Sequence, residues 1–178
     1  MSLRKGPHIL VMGVCGTGKT SLATRLAAMT GGALVEADDY HSAENVAHMA
    51  AGRPLGDDDR WPWLDAIAIA ASVAGQSGAV AIACSALKRR YRDRLRMRLG
   101  ELLLIHLAGS PALIRARLEA RRDHFMPPSL LDSQLDELEP PAANEPHLIV
   151  DVALSPEAQD AQVRAFLAEQ GIELGERT

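Results

Sequence analysis

Gly13-Val14-Cys15-Gly16-Thr17-Gly18-Lys19-Thr20 satisfies G-x-x-x-x-G-K-[ST] at every fixed position. The motif constrains the fold because it needs a strand, a tight glycine turn and a helix in that order. His8-Ile9-Leu10-Val11-Met12 is short, apolar and partly β-branched, which predicts a buried strand. Leu22, Leu26 and Met29 then recur at helical spacing. The glycines let consecutive N–H groups turn inward as an anion nest, and the helix start adds its unpaired donors and positive dipole end. The sequence therefore predicts phosphate binding by Gly13, Val14, Cys15, Gly16, Thr17, Gly18, Lys19 and Thr20. In such a loop the lysine reaches the β- and γ-phosphates and the Thr20 hydroxyl ligates Mg²⁺. Cys15, inside the nest, is expected to be a thiol that alkylates readily and that ATP protects.

Further short apolar segments follow at Ala33–Glu36, Ala79–Cys84, Leu102–Leu107 and His147–Val152, all expected to be buried strands. Amphipathic stretches separate them: Ser42–Ala51, Trp63–Ser77 with Pro62 read as first-turn proline, Lys88–Leu99, a helix capped by Ser110-Pro111, Ser129–Leu138 and Pro156–Glu169. Alternation of this kind predicts an α/β fold, a three-layer sandwich with a five-stranded parallel sheet covered on both faces. Ligands in such folds bind at the carboxyl ends of the strands. The informative positions are thus the glycine loop, Asp38-Asp39, Ser85 and the loop after the fifth strand.

Length favours one domain spanning residues 1–178. A net charge of −4 argues against general nucleic-acid or anionic-membrane binding. No apolar run reaches membrane-spanning length, no signal peptide is evident, and two cysteines make no disulfide framework, so a cytoplasmic protein is expected. Three lysines stand against sixteen arginines, which draws notice to Lys19 and Lys88.

Phosphoryl transfer to an alcohol calls for a carboxylate near the attacking hydroxyl and often one near Mg²⁺. Asp38 and Asp39 follow the second strand and face the glycine loop in this architecture. The third strand ends in Cys84-Ser85 with no carboxylate, which shifts metal duty toward Thr20 and the second-strand acids. Asp57-Asp58-Asp59-Arg60 closes a turn-rich polar loop and, taken alone, reads as a solvated charge run that stabilises a helix N-terminus. Arg121-Arg122 lies in a breaker-rich segment suited to a lid that closes over the phosphates. The arginines from Arg89 to Arg98 flank an apolar stripe and are expected to form a solvated face.

With these pieces placed, the chain resembles the gluconokinase family of small P-loop sugar-acid kinases. The resemblance rests on GVCGTGKT, EADDYHSAENVAHMAAGRPLGDDDRWPWL, CSALKRRYRDRLR, RLEARRDHF and LLDSQLDELEP. It implies ATP-dependent phosphorylation of D-gluconate on its 6-hydroxyl, a nucleoside-monophosphate-kinase-like fold with a mobile lid over about 121–140, and a homodimer. By position Asp38 resembles the carboxylate contacting the acceptor hydroxyl, with Asp39 as the alternative, and a metal-side ligand beside Thr20. His41, Arg60, Lys88 and His124 resemble the polar and cationic partners of the sugar acid. Lys19, Asp38 and Arg121 form the implied catalytic set, and Arg117 with the loop after the fifth strand is the candidate adenine contact.

Departures from the family pattern are Ser42 for Pro, His48 for Lys, Gly56 for a polar residue, Asp123 for Gly, Met126 for an aromatic and Glu36 for Asp. None removes a proposed chemical group. The rival readings are a kinase for another hydroxy acid such as shikimate, a nucleotide kinase, and a nucleotide-binding module without turnover. A glycine cluster after strand three and an Asn-Lys-x-Asp guanine motif are both absent from the sequence.

Overall fold

The computed structural model describes residues 6–120 and 128–174. Five strands, β1 (His8–Met12), β2 (Ala33–Glu36), β3 (Val80–Ala83), β4 (Leu102–Ala108) and β5 (His147–Asp151), form one parallel sheet in the order β2-β3-β1-β4-β5. The register pairs Ile9 with Ala81 and Leu103, so β1 is central. The β3-to-β4 connection passes over β1, which places the reversal of strand order beside the glycine loop, where such sheets bind ligands.

Strand periodicity divides the core. Ile9, Val11, Ala81, Ala83, Ile105 and Leu107 face one layer with α1 (Lys19–Thr30), α5 (Pro111–Ala120), α6 (Pro128–Glu137) and α7 (Pro156–Glu169). Leu10, Met12, Val80, Ile82 and Leu104 face the other, against α3 (Asp57–Ala74) and α4 (Arg89–Leu99). With so few aromatics, aliphatic side chains and Ala fill both cores. The three-layer α/β architecture expected from the alternation is the one observed.

Three expectations need correction. The strands β2 and β5 are edge strands: Val35 and Val150 are buried but Leu34 is 38% and Ile149 54% exposed, because each strand has a neighbour on one side only. The helix α3 begins at Asp57, six residues before Trp63, and Pro62 lies inside it. Three first-turn aspartates favour that start by meeting the helix dipole, and the Asp59 carboxylate accepts the Gly56 N–H at 2.9 Å. Its C-cap is Gly75, so the helix ends short of the expected Ser77. Finally, the arginines of α4 are not uniformly solvated, because Arg92 is fully buried.

A short helix, α2 (Ala43–Ala50), is capped by Ser42, whose hydroxyl accepts the Asn45 N–H at 3.1 Å. The Asn45 amide in turn donates to the Asp59 carbonyl at 3.0 Å and fixes α2 against the start of α3. This bond joins two distant parts of the EADDYHSAENVAHMAAGRPLGDDDRWPWL stretch.

Candidate active site

The glycine loop runs from β1 into α1. Gly16 has φ +81°, and a Cβ there would stand 2.7 Å from Leu118 Cγ, so both the conformation and the close approach require glycine. The Thr17 hydroxyl donates to the Val14 carbonyl at 2.8 Å and holds the loop closed from within. Gly18, at φ 92°, is the N-cap of α1 and offers no side-chain oxygen to the first-turn N–H groups. Those donors remain directed at an external acceptor, as phosphate binding demands. Lys19 Nζ donates to the Val14 carbonyl at 3.1 Å, and burial lowers its pKa against the opposing pull of Asp38.

At the end of β2 a 3₁₀ turn, Ala37–Tyr40, presents Asp38 to the loop. Asp38 is exposed and its carboxylate lies 4.0 Å from His41 Nε2. Glu36, which the sequence reading treated only as a variant position, accepts the Thr20 hydroxyl at 2.6 Å and the Asp38 N–H at 3.5 Å. It therefore stands between the P-loop threonine and the acceptor-side aspartate. The donor set suits Mg²⁺, a hard cation that takes one or two carboxylates and completes its shell with phosphate and water oxygens. Thr20 and Glu36 are already adjacent, and Asp38 follows Glu36 by two residues.

His41 stacks on Trp63 with ring centroids 4.3 Å apart and planes 10° off parallel. Trp63 Nε1 donates to the Ala37 carbonyl at 2.7 Å and so locks α3 to the turn that carries Asp38. The His41 side chain is only 5% exposed, and its buried Nδ1 has no hydrogen-bond partner among the described residues. Burial pushes its pKa below the ordinary histidine value, with Arg60 acting in the same direction and Asp38 against it. His41 is thus a neutral polar group, not a cation, near pH 7.

Arg60 donates to the Tyr91 hydroxyl at 2.9 Å and to Glu137 at 2.8 Å. Lys88 Nζ lies 3.3 Å from the same Glu137 carboxylate. The Tyr91 hydroxyl donates to Asp57 at 2.5 Å, and that bond, chiefly, holds the Asp57 carboxyl below its usual range. A cavity of about 400 Å³ joins these halves; Cys15, Lys19, Asp38, His41, Arg60 and Gln134 are among its walls. Lys88 is not in the wall itself but is bound to it through Glu137.

Gln134 is a residue the sequence reading quoted within a motif but did not single out. Its amide oxygen accepts the Cys15 backbone N–H at 2.7 Å, so α6 reaches into the phosphate nest. One turn on, Glu137 binds Arg60 and Lys88. The i, i+3 spacing that brings both onto one face of α6 was the available signal. Arg117 Nη2 donates to the Val152 carbonyl at 2.6 Å, on the loop that follows β5. Asp39 is exposed beside Asp38. Arg121, Arg122, Asp123, His124 and Met126 lie outside the described residues. Among the described residues no helix is long and apolar enough to cross a membrane.

No protein-family profile matches the chain. It is 44% identical over 181 residues to a rat protein named "Probable gluconokinase", covering 89% of this chain and 96% of that protein. It is 42% identical over 168 residues to the gluconokinase of Gluconobacter oxydans, covering 93% of this chain and 94% of that protein. The crystal structure of a gluconokinase from Sinorhizobium meliloti superimposes with a TM-score of 0.83 at 42% identity, over 94% of both chains. A P-loop opening onto a cavity walled by Lys19, Asp38, His41 and Arg60, on a fold shared over its length with these relatives, leads to one conclusion: the chain belongs to the gluconokinase family.

Proposed function

We propose that this chain transfers the γ-phosphoryl group of ATP to the 6-hydroxyl of D-gluconate, giving 6-phospho-D-gluconate and ADP. The observation that carries the reading is the continuous cavity linking Cys15 and Lys19 of the phosphate loop to Asp38, His41 and Arg60. A donor phosphate and an acceptor alcohol can meet there. The nest N–H groups and Lys19 hold the phosphates and offset charge that spreads over the transferring group. Asp38 accepts the hydrogen bond of the attacking hydroxyl and takes its proton as the new O–P bond forms and the bond to ADP breaks. Thr20, with Glu36 or Asp38, would hold Mg²⁺, which neutralises phosphate charge when bound.

On the acceptor side, Arg60 and Lys88 supply positive charge for the carboxylate of the sugar acid, and neutral His41 supplies hydrogen bonding to its hydroxyls. Glu137 already pairs with both cations, so the acceptor must compete with it or share them. This arrangement favours an anion with hydroxyls over an apolar or cationic acceptor. Arg121 as the lid arginine on the transferred phosphate, His124 as an acceptor contact and Arg117 as an adenine contact complete the reading, as do a homodimer and a cytoplasmic location.

The test is ADP formation with Mg-ATP against D-gluconate, its isomers, glycerate, shikimate, AMP and CMP. Turnover confined to D-gluconate is the expected result. Turnover confined to shikimate or a nucleotide would discard the acceptor assignments of His41, Arg60, Lys88 and His124. ATP binding with no turnover on any acceptor would replace the kinase reading with a binding module.

A further inference from the structure

Arg92 is fully buried on α4 and spends its whole guanidinium on the segments around it. Its Nε and Nη2 donate to the two oxygens of Glu145, each at 2.9 Å, in a bidentate pair that is buried on both sides. Its Nη1 lies 3.2 Å from the Ala86 carbonyl, 3.1 Å from that of Leu87 and 3.0 Å from that of Glu139. Three carbonyls on one nitrogen tie the loop after β3 to the stretch that follows α6. Two backbone-linked bonds reinforce the tie: Glu139 N–H donates to the Leu87 carbonyl at 2.9 Å, and Arg89 N–H donates to the Glu139 carboxylate at 2.6 Å.

The loop so held carries Ser85, in the cavity wall, and Lys88, beside Glu137 and Asp57. Between them stands Ala86 at φ +39°, the only non-glycine residue with positive φ among the described residues. A Cβ disfavours that conformation, so it persists only where surroundings impose it. Arg92 binds the Ala86 carbonyl, and the Ala86 N–H faces the Cys84 sulfur on the other side. The strained peptide is therefore held at both ends, and it sits between Ser85 of the cavity wall and Lys88, which addresses the acceptor.

We infer that Arg92 is a positioning residue for the acceptor site: through the Ala86 and Leu87 carbonyls it sets the path of residues 85–88 and thereby the placement of Ser85 and Lys88. The inference rests on the acceptor reading given above. It separates Arg92 from the phosphate loop, which none of its hydrogen bonds touches. Loss of the fork should loosen the acceptor wall and leave the nucleotide end intact. Lysine cannot substitute, because a single ammonium cannot bind a carboxylate bidentately and three carbonyls together.

The test compares wild type, Arg92→Lys and Arg92→Lys/Ala86→Gly in steady-state kinetics, varying D-gluconate and ATP separately. Glycine adopts positive φ without strain, so it restores the loop path with less help from the fork. The expected result is a rise of about tenfold or more in the KM for gluconate with R92K, and a KM for ATP within about twofold of wild type, as loss of a charge-assisted network implies. Partial recovery of the gluconate KM in the double variant is also expected. Should R92K fail to accumulate as folded protein, Glu145→Gln, which keeps volume and loosens the fork, should show the same split. Equal rises in both KM values, or no recovery with Ala86→Gly, would mean a general structural role and overturn the inference. Normal turnover of gluconate by wild type with an unchanged gluconate KM in the variants sinks the inference alone. No gluconate turnover by wild type sinks the acceptor reading, and the inference with it.

Discussion

The two halves of the cavity are built by different means. The phosphate end is eight consecutive residues whose work is done mostly by backbone N–H groups and one lysine. The acceptor end is assembled from side chains on α3, α4, α6 and the loops after β2, β3 and α6, joined by a chain of hydrogen bonds and ion pairs: Asp57–Tyr91–Arg60–Glu137–Lys88, with Arg92–Glu145 behind it. A backbone site tolerates change around it, because the nest depends on φ and ψ more than on neighbours. A side-chain site is only as well placed as its supports. The phosphate end should therefore fail in chemistry without failing in stability, and the acceptor end should fail in both.

The sharpest way to break that contrast is Lys19→Ala. Among the described residues Lys19 makes one hydrogen bond, to the Val14 carbonyl, and burial works against its charge. Its removal should lower kcat by about 10³–10⁵-fold, the range for loss of a cation on a transferring phosphoryl group. The melting temperature should hold or rise, since a partly buried charge is gone. A variant with near-normal kcat, or one that melts far below wild type, would show that the phosphate end is not built as described.

Glu145→Ala probes the other end. It leaves Arg92 buried without its carboxylate and removes a partner of Arg96 and of the Ala142 N–H. Burial alone would raise the Glu145 carboxyl; the hydrogen bonds from Arg92, Ala142 and Arg96 outweigh it and hold the pKa at about 2. Breaking a buried pair from one side should cost about 3–5 kcal/mol, read by denaturant unfolding. A loss under about 1 kcal/mol, the scale of an exposed pair, would place Arg92 in contact with water.

Tyr91→Phe is gentler. The hydroxyl bridges Asp57 and Arg60, and the ring stays packed beneath Arg60, whose guanidinium carbon is 5.1 Å from its centroid. Loss of the bridge should raise the gluconate KM by roughly 5–30-fold, about 1–2 kcal/mol, and leave the ATP KM alone. Equal movement of both constants would erase the distinction between the halves.

The same contrast explains what the sequence could and could not reveal. The phosphate loop is local, so its residues announce themselves by spacing, and the alternating apolar segments order the sheet because periodicity is local too. Pro62 misled the reading of α3, since proline usually marks a first turn, whereas here Gly56 and the three aspartates set the start. Arg92 escaped because its partner is 53 residues away on an irregular loop. A signal did exist: Arg92 lies three residues before Leu95 and seven before Leu99, on the apolar stripe itself. An arginine on a buried stripe needs a carboxylate, but nothing local says which. Glu36 escaped for a similar reason, because its link to Thr20 spans the first β–α–β unit.

The smallest effect concerns acid. His106 on β4 is buried, and neither ring nitrogen has a hydrogen-bond partner among the described residues. Burial lowers its pKa, and the nearby charges of Arg92 and His147 push the same way. In the unfolded chain the group titrates near 6.5. Below that pH the unfolded state takes up a proton that the folded state refuses. The stability associated with neutral His106 is thus complete above about 6.5 and declines as pH falls toward the depressed folded value, at up to about 1.4 kcal/mol per pH unit. His41 is shifted in the same direction and adds to the slope, but it stacks on Trp63 at the acceptor wall while His106 sits in the sheet. His106→Leu should flatten part of the acid slope in urea unfolding between pH 7 and 5 without altering the gluconate KM. An unchanged slope would mean that His106 binds its proton as readily folded as unfolded, and the polar region around Arg92 would then have to be open to water.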